Sequence, residues 1–152
     1  MNRIKILAVA LTATVMVACN NQSEQKTAES PVEVEEKVKP LVQEVLTQEQ
    51  RDALTPDEVI KSLKEGNERF VNNDLTARDH SAQVRKSATG QFPKAVVLSC
   101  LDSRVPVEYV FDRGIGDIFV GRVAGNFVNE DLLGSMEFGC KVAGSKLILV
   151  LG

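Results

Sequence analysis

The sequence predicts an α/β fold in which a parallel β-sheet is flanked by helices. Three largely apolar runs rich in β-branched residues, at 95–99, 118–123 and 146–152, have the length and composition of buried strands. Helical and turn segments lie between them, and strands that alternate with helices form parallel sheets with right-handed crossovers. Because three strands make a thin sheet, we expect this fold to be incomplete.

The composition is typical of a single globular domain and argues against a nucleic-acid-binding or disulfide-rich protein. The chain of 152 residues is 43% apolar and 26% charged, which is ordinary for one globular domain. Its net charge of −3, without a basic stripe interleaved with aromatic residues, argues against a nucleic-acid partner. The three cysteines, at 19, 100 and 140, are too widely spaced for a disulfide framework or a Cys-x2-Cys knuckle.

The first 18 residues have the features of an export signal. A short positive region precedes an apolar stretch over 6–17, and small Ala18 precedes Cys19. This cleavage site resembles a bacterial lipobox, with Met16 where leucine is usual. We therefore expect 1–18 to be a lipoprotein-type signal peptide and lipidated Cys19 to anchor the exported protein in the periplasm or cell envelope. The alternatives are an ordinary signal peptide and an uncleaved anchor helix, which needs ~20 apolar residues.

The next segment, residues 19–46, is polar and acidic and has no aromatic residue. Its apolar content is too low to offset the entropy lost on ordering, so we expect a disordered tether. The tether joins the membrane anchor to a domain over residues 47–152, and an acidic recruiting segment is the alternative.

Two helices are predicted before the first strand. A capping box begins at Thr55, and Pro56 suits the first helical position, so we expect a helix over 56–72. Its predicted buried face consists of Ile60, Leu63, Asn67, Phe70 and Val71. A weaker helix is expected over 81–88. His80, in the polar link between the two, is expected to be solvated, with a metal ligand or proton shuttle as the alternative.

Short helices and turns link the three strands. Residues 106–112 suit a short helix, and 114–117 have the composition of a turn. A helix over 130–143 is expected to begin at the Asn129 cap, and Cys140 on it is predicted to be a small core residue. The predicted buried face of this helix consists of Leu132, Leu133, Met136 and Val142.

Reactive side chains follow the first strand directly, in Cys100-Leu101-Asp102-Ser103-Arg104. The carboxyl ends of parallel strands are where open α/β sheets bind ligands. Alternate positions bring the thiol, the carboxylate and the guanidinium close together. Arg104 and the helix that Pro106 opens favour the thiolate form of Cys100.

Residue types alone leave several chemistries open at this stretch. Cys-x3-Arg is too short for the Cys-x5-Arg phosphate cradle of tyrosine phosphatases. A thiol nucleophile needs a histidine base, and His80 is the only candidate. A metal site suits a thiol beside a carboxylate better, because thiolate is a zinc ligand. Alternatively, Cys100 packs in the core and Asp102–Arg104 is an ion pair that stiffens the loop.

Four segments resemble successive blocks of the beta-class carbonic anhydrases: 100–106, 116–126, 135–139 and 147–152. Residues 66–70 are similar to the amino-terminal helix of that family, so the likeness covers about 55–152. The resemblance implies that a zinc enzyme, a homodimer or larger, hydrates carbon dioxide reversibly to bicarbonate.

The resemblance also implies a role for each matching residue. Cys100 matches the first zinc ligand. Asp102, paired with Arg104, accepts a hydrogen bond from the hydroxide nucleophile, and it ligates zinc itself when that pair breaks. The pocket for carbon dioxide is expected to involve Val123, Gly125 and Asn126.

The other zinc ligands of the family, a His-x2-Cys pair, follow the strand that matches 147–151, whereas this sequence stops at Gly152. We therefore expect the amino-terminal part of a longer enzyme, which by itself binds zinc poorly and catalyses little. The alternative is a non-catalytic exported lipoprotein, or a degenerate remnant, that keeps the fold without zinc.

Overall fold

A computed structural model describes residues 40–152, so the predicted signal peptide, Cys19 and most of the predicted tether lie outside the described residues. The described part is a three-stranded parallel sheet with flanking helices, which confirms the predicted α/β class. Its elements are α1 (Gln48–Ala53), α2 (Pro56–Val71), α3 (His80–Ser87), β1 (Ala95–Ser99), α4 (Val107–Val110), β2 (Ile118–Arg122), α5 (Glu130–Glu137), a π-helical turn (Phe138–Val142) and β3 (Leu147–Leu151). Within 40–152, no helix has the length and apolar character needed to cross a membrane.

Strand β1 lies at the centre of the sheet, in the order β2-β1-β3. All five of its residues are buried, as the continuous apolar run predicts. Ser99, the last residue of β1, is level with Arg122 on one side and Leu151 on the other. The carboxyl ends of the three strands therefore meet at a single edge.

Capping boxes start the first two helices. In α2, the Thr55 hydroxyl accepts from the Glu58 N–H and the Glu58 carboxylate accepts from the Thr55 N–H, as predicted. The shorter α1 was not predicted, although Thr47 and Gln50 form the same reciprocal pair. The Thr-x-x-Gln spacing is the sequence signal for this helix.

The buried face of α2 differs from the predicted one. Val59, Leu63 and Gly66 are buried, whereas Val71 is 72% exposed. Gly66 sets this face, because a Cβ there would lie 1.9 Å from the Phe111 carbonyl oxygen. The glycine lets the helix approach the segment after α4 closely, so the Gly66 side of α2 is buried.

The predicted helix over 130–143 is not uniform. Its α-helical part ends at Glu137, and a π-helical turn follows. Gly139 in this turn packs on the sheet, since a Cβ there would lie 2.6 Å from a methyl carbon of Val96. Met136 is buried as predicted, but two residues of the predicted buried face are exposed, Leu133 and Val142.

Strand β3 is an edge strand rather than a fully buried one. Its residues alternate between half-buried and exposed, and Ile148 and Val150 are 44% and 58% exposed. The reason is that β3 pairs only with β1 in the described part of the chain. An apolar groove of about 340 Å³ lies between α2 and β3.

The folded part of the chain includes residues that were predicted to belong to the tether. The Val42 N–H donates to the Ala77 carbonyl at 2.8 Å, and the Asp79 N–H donates to the Val42 carbonyl at 3.0 Å. These main-chain bonds, which the composition of the segment does not reveal, attach residues 40–46 to the start of α3. His80, predicted in a loop, is the exposed first residue of that helix.

A buried carboxylate organises the region beside α2 and α4. The side chain of Asp112 is fully buried and accepts hydrogen bonds from Arg69 Nε at 2.5 Å and Arg78 Nη1 at 2.5 Å. The Thr76 hydroxyl donates to it at 2.6 Å. Burial raises the pKa of Asp112, but the bonds from Arg78, Thr76 and Arg69 outweigh burial and hold the pKa well below its ordinary value.

We expect Asp112→Asn to lower the free energy of unfolding by about 3 kcal/mol, because it leaves two guanidinium groups without their buried partner. Urea denaturation of the full chain measures this change. Glu65→Gln is the control. The Glu65 carboxylate is exposed and forms a weak ion pair with Lys61 Nζ at 3.9 Å, so this substitution should change stability by less than about 0.5 kcal/mol. Equal effects of the two substitutions would contradict the assigned role.

The same substitution should remove a pH dependence. The folded-state pKa of Asp112 lies below that of the unfolded chain, which is about 3.9. In acid the unfolded chain therefore binds more protons, so the stability due to Asp112 is complete above that value and is lost as the pH falls toward the folded pKa. The difference between wild type and Asp112→Asn, measured by urea denaturation, should stay constant above about pH 5 and narrow as the pH falls below about 4.

Candidate active site

The thiol of Cys100 lies where the chain leaves the central strand. Cys100 is partly buried, and the Gly125 N–H donates to its sulfur at 3.4 Å. Gly125 has a φ of +83°, in the left-handed region that favours glycine, and no atom lies within 4 Å of a Cβ built there. Backbone conformation rather than space therefore explains the glycine beside the thiol.

Asp102 is paired with Arg104 through both carboxylate oxygens. Arg104 Nε donates to Oδ1 at 3.0 Å, Nη2 donates to Oδ2 at 2.8 Å, and the Arg104 main-chain N–H donates to Oδ1 at 2.9 Å. These bonds, from the side chain first and then the backbone, lower the pKa of Asp102, and the charge of Arg122 adds to the effect. Asp102 is therefore an ionised acceptor with a fixed orientation.

A second arginine, Arg122, contacts the loop, and no role was predicted for it. Arg122 Nε donates to the carbonyl of Cys100 at 3.2 Å, and Nη2 donates to those of Val105, at 2.7 Å, and Asp102. The sequence feature that could have pointed to Arg122 is a charged residue at the end of an apolar strand.

The residues of the predicted carbon dioxide pocket lie at the same edge of the sheet. The Val123 N–H donates to the Ser99 carbonyl at 3.1 Å, which continues the pairing of β1 and β2. Asn126 has a φ of +55° and donates through Nδ2 to the carbonyl of Leu151, at the end of β3, at 2.9 Å. Its Oδ1 is buried with no hydrogen-bond partner in the described part of the chain.

Two other candidates lie elsewhere. His80 lines a cavity beside α4, together with Tyr109 and Arg113. Cys140 lies in the π-helical turn, half-buried rather than in the core, and burial raises the pKa of its thiol. Neither is placed with Cys100 and Asp102, because residues 40–152 contain no group of three or more His, Cys, Asp or Glu that could hold a metal ion.

The donor set fits part of a zinc site. Thiolate sulfur and carboxylate oxygen are both zinc donors, and Cys100 and Asp102 supply one of each. A zinc site needs three or four ligands, so these two residues would hold the metal only together with others.

Comparisons with known proteins match this part of the chain. Residues 95–152 match the carbonic anhydrase family model. The chain is 47% identical over 96 residues to carbonic anhydrase 2 of Mycobacterium tuberculosis, an alignment of 60% of this chain and 45% of the relative. It is 45% identical over 93 residues to the carbonic anhydrase of Mycolicibacterium smegmatis, with the same coverage. The chain thus spans less than half the length of these relatives.

Solved structures include a tetrameric beta-carbonic anhydrase from Sordaria macrospora, with 23% identity and a TM-score of 0.44, aligned over 63% of this chain and 46% of that one. The beta-carbonic anhydrase of Aspergillus fumigatus aligns with 22% identity and a TM-score of 0.44, over 63% and 45%. The thiol and the paired carboxylate thus lie within the segment that the family model matches. Residues 95–152 therefore resemble the carbonic anhydrase family, as the sequence motifs predicted.

Proposed function

We propose that these residues belong to an enzyme that uses zinc to hydrate carbon dioxide reversibly to bicarbonate and a proton. The resemblance to the family supports this reaction. The observation that carries the proposal is the placement of the Cys100 thiol and the Arg104-bound carboxylate of Asp102 in one loop at the carboxyl end of β1. When bound, zinc makes a hydroxide nucleophile available near neutral pH.

Arg104 controls what Asp102 does. While both carboxylate oxygens are bound to Arg104, Asp102 remains ionised and accepts hydrogen bonds, so it orients a proton-bearing nucleophile above the loop. When that pairing opens, the carboxylate becomes free to act as a metal donor and to close the site. Arg104 is 86% exposed at its side chain, so solvent and anions reach the pair.

Carbon dioxide is uncharged and needs an apolar surface next to the reacting group. Val123, half-buried at the end of β2, offers such a surface. Gly125 and Asn126 shape the rim, because both have left-handed backbone conformations that turn the chain back toward Cys100 and Leu151.

The remaining zinc ligands, a His-x2-Cys pair, are proposed to lie outside the described residues, since the chain covers only 45% of its relatives. The gene beyond codon 152 should encode that histidine, and a cysteine three residues later. The 152-residue chain alone should contain almost no zinc and show almost no carbon dioxide hydration. A gene that continues without the His-x2-Cys pair would contradict the zinc mechanism. Strong carbon dioxide hydration by the 152-residue chain would show that other residues complete the site.

A non-catalytic lipoprotein that keeps the fold without zinc is the second candidate. The observation in its favour is that the described residues contain no complete metal-binding group. Zinc analysis of the full-length protein separates the two, because the enzyme binds about one zinc per chain and the lipoprotein binds none.

The enzyme is further proposed to be exported and anchored to a membrane through lipidated Cys19, and to form a homodimer or larger assembly. The apolar stretch followed by Ala18-Cys19 supports the anchor. The exposed Ile148, Val150 and Val142 supply apolar surface for an assembly. Cell fractionation of a Cys19→Ser variant and sedimentation of the protein check these two points.

We expect Cys100→Ser to reduce the zinc content of the full-length enzyme from about one ion per chain to almost none, because an alcohol is a far weaker zinc ligand than a thiolate. Elemental analysis after dialysis measures this loss. Cys140→Ser is the matched control, since its thiol lies in the π-helical turn away from the site, and it should keep its zinc. Zinc retained by Cys100→Ser would remove Cys100 from the ligand set.

Arg104→Ala should keep zinc but lower the rate of carbon dioxide hydration by roughly 10- to 100-fold, because it frees Asp102 from its orienting partner. Stopped-flow measurement of proton release gives the rate. Arg85→Ala, an exposed arginine of α3, is the control and should leave the rate unchanged. Wild-type activity in Arg104→Ala would contradict the orienting role.

A further inference from the structure

We propose that Arg122 is the positioning residue of the active-site loop: from the end of β2, its guanidinium fixes the backbone of residues 100–105 so that Cys100 and Asp102 face the same site. The link to catalysis rests on the proposed function. The backbone role itself rests only on the contacts around Arg122.

Three main-chain carbonyls converge on Arg122. Nε binds the carbonyl of Cys100 at 3.2 Å, while Nη2 binds that of Val105 at 2.7 Å and that of Asp102. Carbonyl oxygens that point to one place repel each other, so a cation between them stabilises the turn. A planar guanidinium offers several donors in fixed directions, whereas a lysine ammonium is a single point of charge.

Apolar packing does little to hold the loop. Leu101, its only large apolar side chain before Val105, is 70% exposed, so burial does not anchor the loop to the core. Inside it, the Asp102 N–H donates to the Cys100 carbonyl at 2.9 Å and the Val105 N–H donates to the Asp102 carbonyl at 3.3 Å. Such short-range bonds form and break easily unless a rigid element supports them.

Strand β2 is that rigid element. Arg122 is level with Ser99 in the parallel pairing with β1. The Val123 N–H then donates to the Ser99 carbonyl at 3.1 Å, and the Leu101 N–H donates to the Val123 carbonyl at 3.2 Å. The base of the Arg122 side chain is thus tied to the same strand end from which the loop departs.

The two arginines divide the control of Asp102. Arg104 binds its carboxylate, and Arg122 binds its main-chain carbonyl. The carboxylate can therefore leave Arg104 while the backbone of Asp102 stays in place. Because Arg122 holds the backbone, the Asp102–Arg104 ion pair can separate through side-chain movement alone, without movement of the loop.

Amide hydrogen exchange of the full 152-residue chain tests this role without zinc or substrate. Arg122→Gln should speed exchange at the Leu101 and Val105 amides by roughly tenfold or more, because charge-assisted bonds to the loop are lost. The Val97 amide in β1 should exchange at the wild-type rate. Arg122→Lys should restore little of the protection, since one ammonium cannot replace the several donors of the guanidinium. Arg85→Gln should leave all these exchange rates unchanged.

Three results would overturn the proposal. Unchanged exchange at Leu101 and Val105 in Arg122→Gln would show that the loop does not depend on the arginine. Equal acceleration at Val97 would make Arg122 a residue of global stability, and full protection in Arg122→Lys would assign the effect to charge alone. Failure of the zinc mechanism would leave these exchange rates unaffected, so the two proposals are tested separately.

Discussion

The burial of β1 between two parallel neighbours is the constraint on which the rest of this structure depends. Its five residues have no solvent-facing side, so every main-chain group must pair with β2 or β3 and both faces must be covered. One face packs on a core that includes Val59 and Leu63 of α2, and Val96 on the other face approaches Gly139 of the π-helical turn. The chain therefore leaves the core at the carboxyl end of β1, and Cys100 and Asp102 follow there.

Asp112 and Asp102 both pair with arginine, but the difference in their burial gives the two carboxylates different roles. Asp112 is fully buried, and Arg69, Arg78 and Thr76 satisfy it, so it acts as a structural joint between α2, the loop before α3 and α4. Asp102 has 26% of its side chain exposed, and its partner Arg104 is almost free in solvent. Water competes for the second pair and not for the first, so only Asp102 can exchange partners at low cost.

The candidate site is built from the backbone outward. The ends of three strands fix where the loop starts, Arg122 holds its carbonyls, Gly125 brings an N–H to the thiol, and Asn126 ties the β2 end to the β3 end. The reacting side chains are few by comparison. These backbone contacts all lie in the segment from β1 to β3, which is the segment that matches the carbonic anhydrase family model.

The sequence by itself determined the elements whose causes are local. Capping boxes and apolar runs lie within a few residues, so α2, α3, the three strands and the reactive stretch after β1 were predicted near their observed positions. Tertiary structure decided what depends on contacts between distant segments. The close approach of Gly66 to Phe111 set the buried face of α2, the place of β3 at the edge exposed Val150, and the alignment of Ser99 with Arg122 brought that arginine to the loop. None of these follows from the periodicity of one segment, because each is a distance between segments that only the packed sheet defines.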